Sequence, residues 1–298
     1  MRHLKFIAAA LLVLGCTPKG NIDSYTGLVD MKIGTGGHGH VFVGANVPFG
    51  LVQLGPTSIP QEWDWCSGYH DSDSTVIGFS HTHLSGTGIG DLFDITVMPV
   101  VGSEVAYGRG HEDDPDSGLW SYADRRHEVA KPGYYSVPLT RYGITAEMTA
   151  TNRVGVHRYT FPQSEEAGIV INMMNGGCWD RPMDAQIERV DPMTGQPDPN
   201  GQALRGYRYS RGWADDQKVY FYAEFSKPFK DFKVIRGDIQ IWQDEFKDMA
   251  AFAHAYFEAE PQEQIMMKVA LSPVSMEGAY ANMKAELPGW DFEATAKA

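Results

Sequence analysis

Apolar and polar residues alternate with a period of two along several stretches of this chain. In Lys218–Phe225 (KVYFYAEF) and Ile265–Leu271 (IMMKVAL), even and odd positions fall on opposite faces of an extended backbone. Strand-like runs recur at short spacing, among them HVFVGANV, GLVQLG, TVIGFS, DITVMPVVG, GIVINMM and MAAFAHAYFE, and Gly, Pro, Asn and Asp fill nearly every gap. This pattern predicts an all-β fold, a large antiparallel, supersandwich-like β-sandwich, with a short helix near the C-terminus. Helical spacing appears only in SMEGAYANMKAELPGWDFEATAKA. There Ser275 can cap, Ala279, Met283 and Leu287 share a face, Pro288-Gly289 ends the helix, and Asp291 begins a second one. Two polar, Pro/Gly-rich segments, 110–118 and 189–202, read as loops.

The first residues depart from this pattern. Arg2 and Lys5 precede an apolar run, Ile7–Leu14, too short to span a bilayer and ending in Gly15-Cys16. This resembles a bacterial lipoprotein signal: residues 1–15 form the leader, Cys16 is the lipidation site, and residues 16–26 form a tether. A plain signal peptide with a coincidental Cys is the alternative. The expected location is the bacterial envelope, lipid-anchored, at the periplasmic face or the cell surface. Residues 27–273 then form the sandwich and 274–298 a helical linker. Removing 1–15 takes away Arg2 and Lys5 and no acid, which moves the formal charge from −13 to −15. Such a chain repels nucleic acid and anionic substrates and suits neutral ligands such as sugars. Cys66 and Cys178 could pair in an oxidising compartment, but two buried thiols are the expectation.

Candidate chemistry concentrates between Trp63 and Asp91 (WDWCSGYHDSDSTVIGFSHTHLSGTGIGD). His38-Gly39-His40 and His81-Thr82-His83 are H-x-H pairs, which on a strand would put two imidazoles on one face, with Asp91 and Asp94 able to add oxygens. The alternative is imidazoles hydrogen-bonded within a polar cleft, and no metal ligands are assigned. Gly34–His40 and Ser85–Asp91 are Gly-rich, yet neither has the spacing of a P-loop or dinucleotide fold, and Ser85 is not in a nucleophile elbow. Glu62-Trp63-Asp64-Trp65 carries more information. An indole stacks on the C–H face of a sugar while a neighbouring carboxylate accepts from its hydroxyls. Equally, one Trp could be core and the other cap a loop. Asp64, Asp71, Asp73, Asp91 and Asp94 are available as carboxylates, and no spacing selects a catalytic pair.

Four long motifs carry a resemblance: IGTGGHGHVFVGANVPFGLVQLGPTS, WDWCSGYHDSDSTVIGFSHTHLSGTGIGDL, GYRYSRGWADDQKVYFYAEFSKPF and KVALSPVSMEGAYANMKAELPGWDF. They resemble the amino-terminal domain of glycoside hydrolase family 92 and its junction with the next domain. VDMKIGTG departs from the apolar, Pro-containing start usual there. The resemblance implies a β-sandwich that precedes an (α/α)6 barrel in exo-acting, inverting, Ca2+-dependent α-mannosidases active on N-glycans or mannan, many from Bacteroidetes. In that family the acid, the base and most Ca2+ ligands belong to the barrel. What it implies here is a substrate-binding wall at Trp63, with Asp64, Cys66, His81 and His83 beside it and no catalytic residue. The expected partners are an α-mannoside glycan, a barrel domain absent from this chain, and the membrane through the lipid. On this reading the chain is inactive alone. A stand-alone carbohydrate-binding lipoprotein is the alternative, and a metal hydrolase using the H-x-H pairs a third.

Overall fold

The computed structural model describes residues 25–59, 63–111, 113–177, 179–242 and 245–298. Lipidation at Cys16 and the state of the Cys66–Cys178 pair therefore lie outside the described residues. Two antiparallel sheets dominate. The six-stranded sheet runs Gly55–Thr57, Gly78–Ser80, Thr96–Val101, Ser164–Asn172, Glu245–Ala259, Asp231–Trp242. The eight-stranded sheet runs Arg181–Val190, Ala203–Arg211, Gln217–Phe225, Glu263–Ser272, Val154–Phe161, Ile144–Ala150, Tyr134–Leu139, Val129–Lys131. One apolar core joins them: Val97, Ile169, Ile171 and Phe257 from the first meet Met148, Phe161, Phe221 and Leu271 from the second. This is the all-β sandwich that the alternating pattern predicts.

The period-two reading also accounts for the outer face of the larger sheet. Ile265, Met267, Val269 and Leu271 enter the core between the sheets, whereas Ala270 joins Val154, Ala203 and Tyr222 in a second cluster on the opposite face. Helix α1 (Met276–Glu286) covers that cluster with Ala279 and Met283. Ser275 Oγ accepts from Gly278 N at 3.0 Å and caps α1, as its sequence position predicts. Helix α2 (Phe292–Lys297) is capped by Asp291, which accepts from Ala294 N at 2.9 Å. Lys268 lies under this covering layer, fully buried. Its ammonium donates to Leu287 O (2.9 Å) and Gly289 O (3.2 Å) and pairs with Glu224 (3.0 Å). These contacts replace the lost water.

The short strands Gly55–Thr57 and Gly78–Ser80 form one edge of the six-stranded sheet. The chain leaving their ends builds the Trp63–Trp65 turn and the Gly-rich 84–91 loop. Two connections from the larger sheet reach the same place. Trp179 N, just before strand Arg181–Val190, donates to Gly90 O at 2.9 Å. Trp213 N, in the turn after Arg211, donates to Asp91 Oδ2 at 3.0 Å.

Candidate functional site

Trp63, Asp64 and Trp65 form a single 3-10 turn, so the two indoles leave it in different directions. Trp65 is structural: its Nε1–H donates to Asp73 Oδ2 at 2.6 Å, and its ring stacks on His70 at 4.3 Å. Trp63 is 49% exposed. Its Nε1–H donates to Gly88 O at 2.7 Å, and the His40 ring packs against it in a near-T-shaped contact with centroids 4.2 Å apart. A Cβ at position 88 would come within 2.2 Å of the indole, so only glycine lets the ring seat against the loop. The indole is thus braced by the loop and by His40, with the His38 ring 5.7 Å away, and about half of it stays open to solvent.

The two H-x-H pairs have different fates. His38 Nδ1 lies 2.6 Å, and His40 Nε2 3.1 Å, from the same oxygen, Asp64 Oδ1. Hydrogen bonding from His38, and less strongly from His40, holds the Asp64 carboxyl below its ordinary pKa against the opposing effect of desolvation. His81 and His83 share an inward-facing stretch, yet their rings diverge. His83 Nδ1 donates to Gln53 O at 2.8 Å, with its ring between Phe42 and Phe93. His81 Nδ1 donates to Ile95 O at 2.6 Å. Its Nε2 must then accept, from His157 Nε2 at 3.0 Å, and His157 Nδ1 accepts from Tyr159 OH at 2.7 Å. This assignment leaves both rings neutral. Burial agrees, pushing the pKa of His81 and of His83 down to about 4 and that of His157 well below its ordinary value.

The structure therefore sorts the residues that sequence groups as one wall. Trp63 is half exposed and Asp64 lies at the surface beside it. Cys66, His81 and His83 are buried, so their expected place as direct contacts to a substrate is corrected to the interior behind it. Burial of the imidazoles is the physical reason for two of them. Cys66 Sγ sits inside, 3.5 Å from Thr87 O, under the same Gly-rich loop.

Behind the loop lies a buried charged network. Arg208 donates to Asp94 Oδ1 at 2.7 Å, to Met173 O at 3.0 Å and to Asp180 Oδ1. Asp94 Oδ2 accepts from Thr82 (2.7 Å) and Gln217 (2.9 Å). Burial raises the Asp180 pKa to about 6, with Arg208 opposing the shift. Asp91 and Asp94, expected as possible metal oxygens beside the His pairs, instead tie the loops together. Asp91 does so through Trp213 N, and Asp94 through Arg208. Two further indoles flank this loop and were not singled out from sequence: Trp179 (50% exposed) and Trp213 (68% exposed). Their only local signal is a Trp within a Gly- and Asp-bearing turn, CWD and GWAD.

Among the described residues, the one grouping of three or more His, Cys, Asp or Glu ligand atoms is His38, His40 and Asp64. Two imidazoles and one carboxylate do not fit Ca2+, which takes six to eight oxygens, so no step involving Ca2+ is assigned to these residues. Three of the candidate aspartates are already engaged. Asp64 is held by imidazoles, Asp73 by the Trp65 indole, and Asp94 by Arg208. The geometry suits binding: a braced aromatic face with a charged edge, set among loops.

Comparison with known proteins bears on this arrangement. A family model described as the glycosyl hydrolase family 92 N-terminal domain matches residues 28–272. A solved family GH92 α-mannosidase from Bacteroides thetaiotaomicron, in complex with mannoimidazole, is 34% identical with a TM-score of 0.80, covering 91% of this chain and 35% of that one. A GH92 family glycosyl hydrolase structure is 25% identical with a TM-score of 0.72, covering 92% of this chain and 36% of that one. A protein of Arthroderma benhamiae described as an uncharacterized secreted glycosidase is 27% identical over 316 residues, covering 95% of this chain and 38% of its own length. The chain thus spans somewhat over a third of the length of these relatives.

Proposed function

This chain belongs to glycosyl hydrolase family 92, of which it carries the N-terminal domain, and on that premise we propose that it supplies one wall of an α-mannoside pocket. The observation that carries the reading is Trp63, whose exposed face is fixed by the Gly88 and His40 contacts and bordered by Asp64. The indole stacks against the C–H face of a sugar, and the free oxygen of Asp64 accepts from a hydroxyl. Cys66 supports the Gly-rich loop of that wall from beneath, while His81 and His83 are buried deeper. Trp179 and Trp213 extend the aromatic surface around the same loop.

Hydrolysis with inversion needs an acid and a water-activating base on opposite sides of the scissile bond, about 6.5–9.5 Å apart. In this reading a companion catalytic domain provides both, binds the Ca2+, and acts on N-glycan or mannan α-mannosides, while this chain alone is inactive. Export fits the secreted description of the Arthroderma relative, with lipid attachment at Cys16 the proposed anchor.

Two measurements on the purified chain test this. Mannose release from an α-mannoside in the presence of Ca2+ should be absent, and its appearance would overturn the division of labour. Calorimetry with mannobiose should show binding near millimolar at best, weakened roughly tenfold or more by Trp63→Ala. Equal binding by both proteins would remove Trp63 from the wall.

A further inference from the structure

We infer that His38, His40 and Asp64 form a binding site for a divalent transition ion of the zinc class. The ligand atoms His38 Nδ1, His40 Nε2 and Asp64 Oδ1 all lie within 4.8 Å of one another. Tetrahedral zinc, with bonds of about 2.0–2.2 Å, separates its ligand atoms by about 3.3 Å. His40 Nε2 is already 3.1 Å from Asp64 Oδ1, and His38 Nδ1 is 2.6 Å from it. His38 reaches the same spacing from Asp64 by swinging outwards by less than 1 Å. Its side chain is 78% exposed, which leaves it free to do so.

The backbone is shaped for this convergence. His38 ends a turn in which Gly39 N donates to Gly36 O at 3.3 Å, Gly39 and His40 are in neither turn nor strand, and a Cβ at 39 would fall 2.0 Å from Gly34 O. His40 takes the left-handed conformation (φ 53), which costs a non-glycine residue energy. That conformation directs its buried imidazole towards Asp64, with the Trp63 ring in a near-T-shaped contact against it, centroids 4.2 Å apart. The left-handed residue thus sets its imidazole against a carboxylate 24 positions away.

The donor set selects the ion. Two imidazole nitrogens and one carboxylate suit zinc, cobalt, nickel or copper and are a poor match for Ca2+ or Mg2+. Three protein ligands leave a four-coordinate ion one position short, open to water or to an oxygen of a bound molecule. Loading would clamp Asp64 to His40 and so stiffen the turn that carries Trp63. The inference does not depend on the mannoside reading.

The test uses the untagged, chelator-treated chain. Zinc titration followed by calorimetry, with a chromophoric chelator as competitor, should give one-to-one binding that excess Ca2+ does not displace. Cobalt should produce the visible absorption of a four-coordinate nitrogen–oxygen site. His38→Ala, at an exposed side chain, should weaken zinc binding at least about tenfold without changing the circular dichroism spectrum, and Asp64→Asn should do likewise. Zinc binding as tight in His38→Ala and Asp64→Asn as in the parent, or no one-to-one binding by the parent, overturns the site. Equal displacement by Ca2+ does the same.

Discussion

Acidification from pH 7 to pH 5 should destabilise this fold through imidazoles that cannot be charged where they sit. His83 lies between two phenyl rings, its Nδ1–H committed to Gln53 O, and burial lowers its pKa from 6.5 to about 4. The unfolded chain takes up a proton as pH falls through 6.5, and the folded chain does not until about 4. The stability is therefore full above the unfolded pKa and drains away between roughly 6.5 and 4. At pH 5 the unfolded state gains about 2 kcal/mol from this one residue. His81, lowered to about 4 by its own burial, adds a similar loss of about 2 kcal/mol. Asp180 acts in the opposite sense. Its pKa is raised to about 6, so the folded state binds a proton first and recovers about 1 kcal/mol at pH 5. The net expectation is a loss of about 3 kcal/mol from these three groups, a large share of a typical folding free energy of about 5–15 kcal/mol. Urea unfolding at pH 7, 6 and 5 measures it, and His83→Gln, whose amide can still donate to Gln53 O, isolates one contribution. The variant should lose about 2 kcal/mol less than the parent over that interval. An identical pH dependence in parent and variant would refute the reasoning.

Two further perturbations test separate parts of the site. Gly88→Ala places a methyl group 2.2 Å from the Trp63 ring. It should cost about 1–3 kcal/mol and displace the indole, seen as a changed tryptophan emission that is lost in a Trp63→Phe background. Emission unchanged by the alanine would show that the ring is not seated on the loop. Arg208→Met strands Asp94 and Asp180 in the interior without their shared cation. A loss of about 3–5 kcal/mol in denaturant unfolding is expected, and a loss below about 1 kcal/mol would show that the network contributes little.

The sandwich was legible because alternation is a local property. Ile265, Met267, Val269 and Leu271 announce the inner face of a strand in seven residues, and Ser275 announces the helix that follows. Lys268 shows the limit: a lysine in that alternation reads as solvent-facing, yet the α1–α2 connection covers it completely. The site was legible in part. Trp63 and Asp64 adjoin in sequence, so their proximity is legible locally. The residues around them come from distant segments. Asp64 meets His38 across 26 positions, and His81 meets His157 across 76. Contacts of that separation leave no periodic trace. The H-x-H pairs mislead for a related reason. Sharing a strand face fixes where side chains start, not where their rings end, so His81 and His83 part company. His38 and His40 converge through a turn instead of a strand.

Because the indole of Trp63 is pinned at its nitrogen and propped by an imidazole, it enters any encounter with its rotamer already chosen. Immobilising a mobile side chain on association costs about 0.5–1.5 kcal/mol, and here that loss was incurred when the chain folded. A ligand arriving at this face should therefore meet it as a rigid plane. Its affinity would then be limited by how few surfaces surround it, not by disorder in the one it touches.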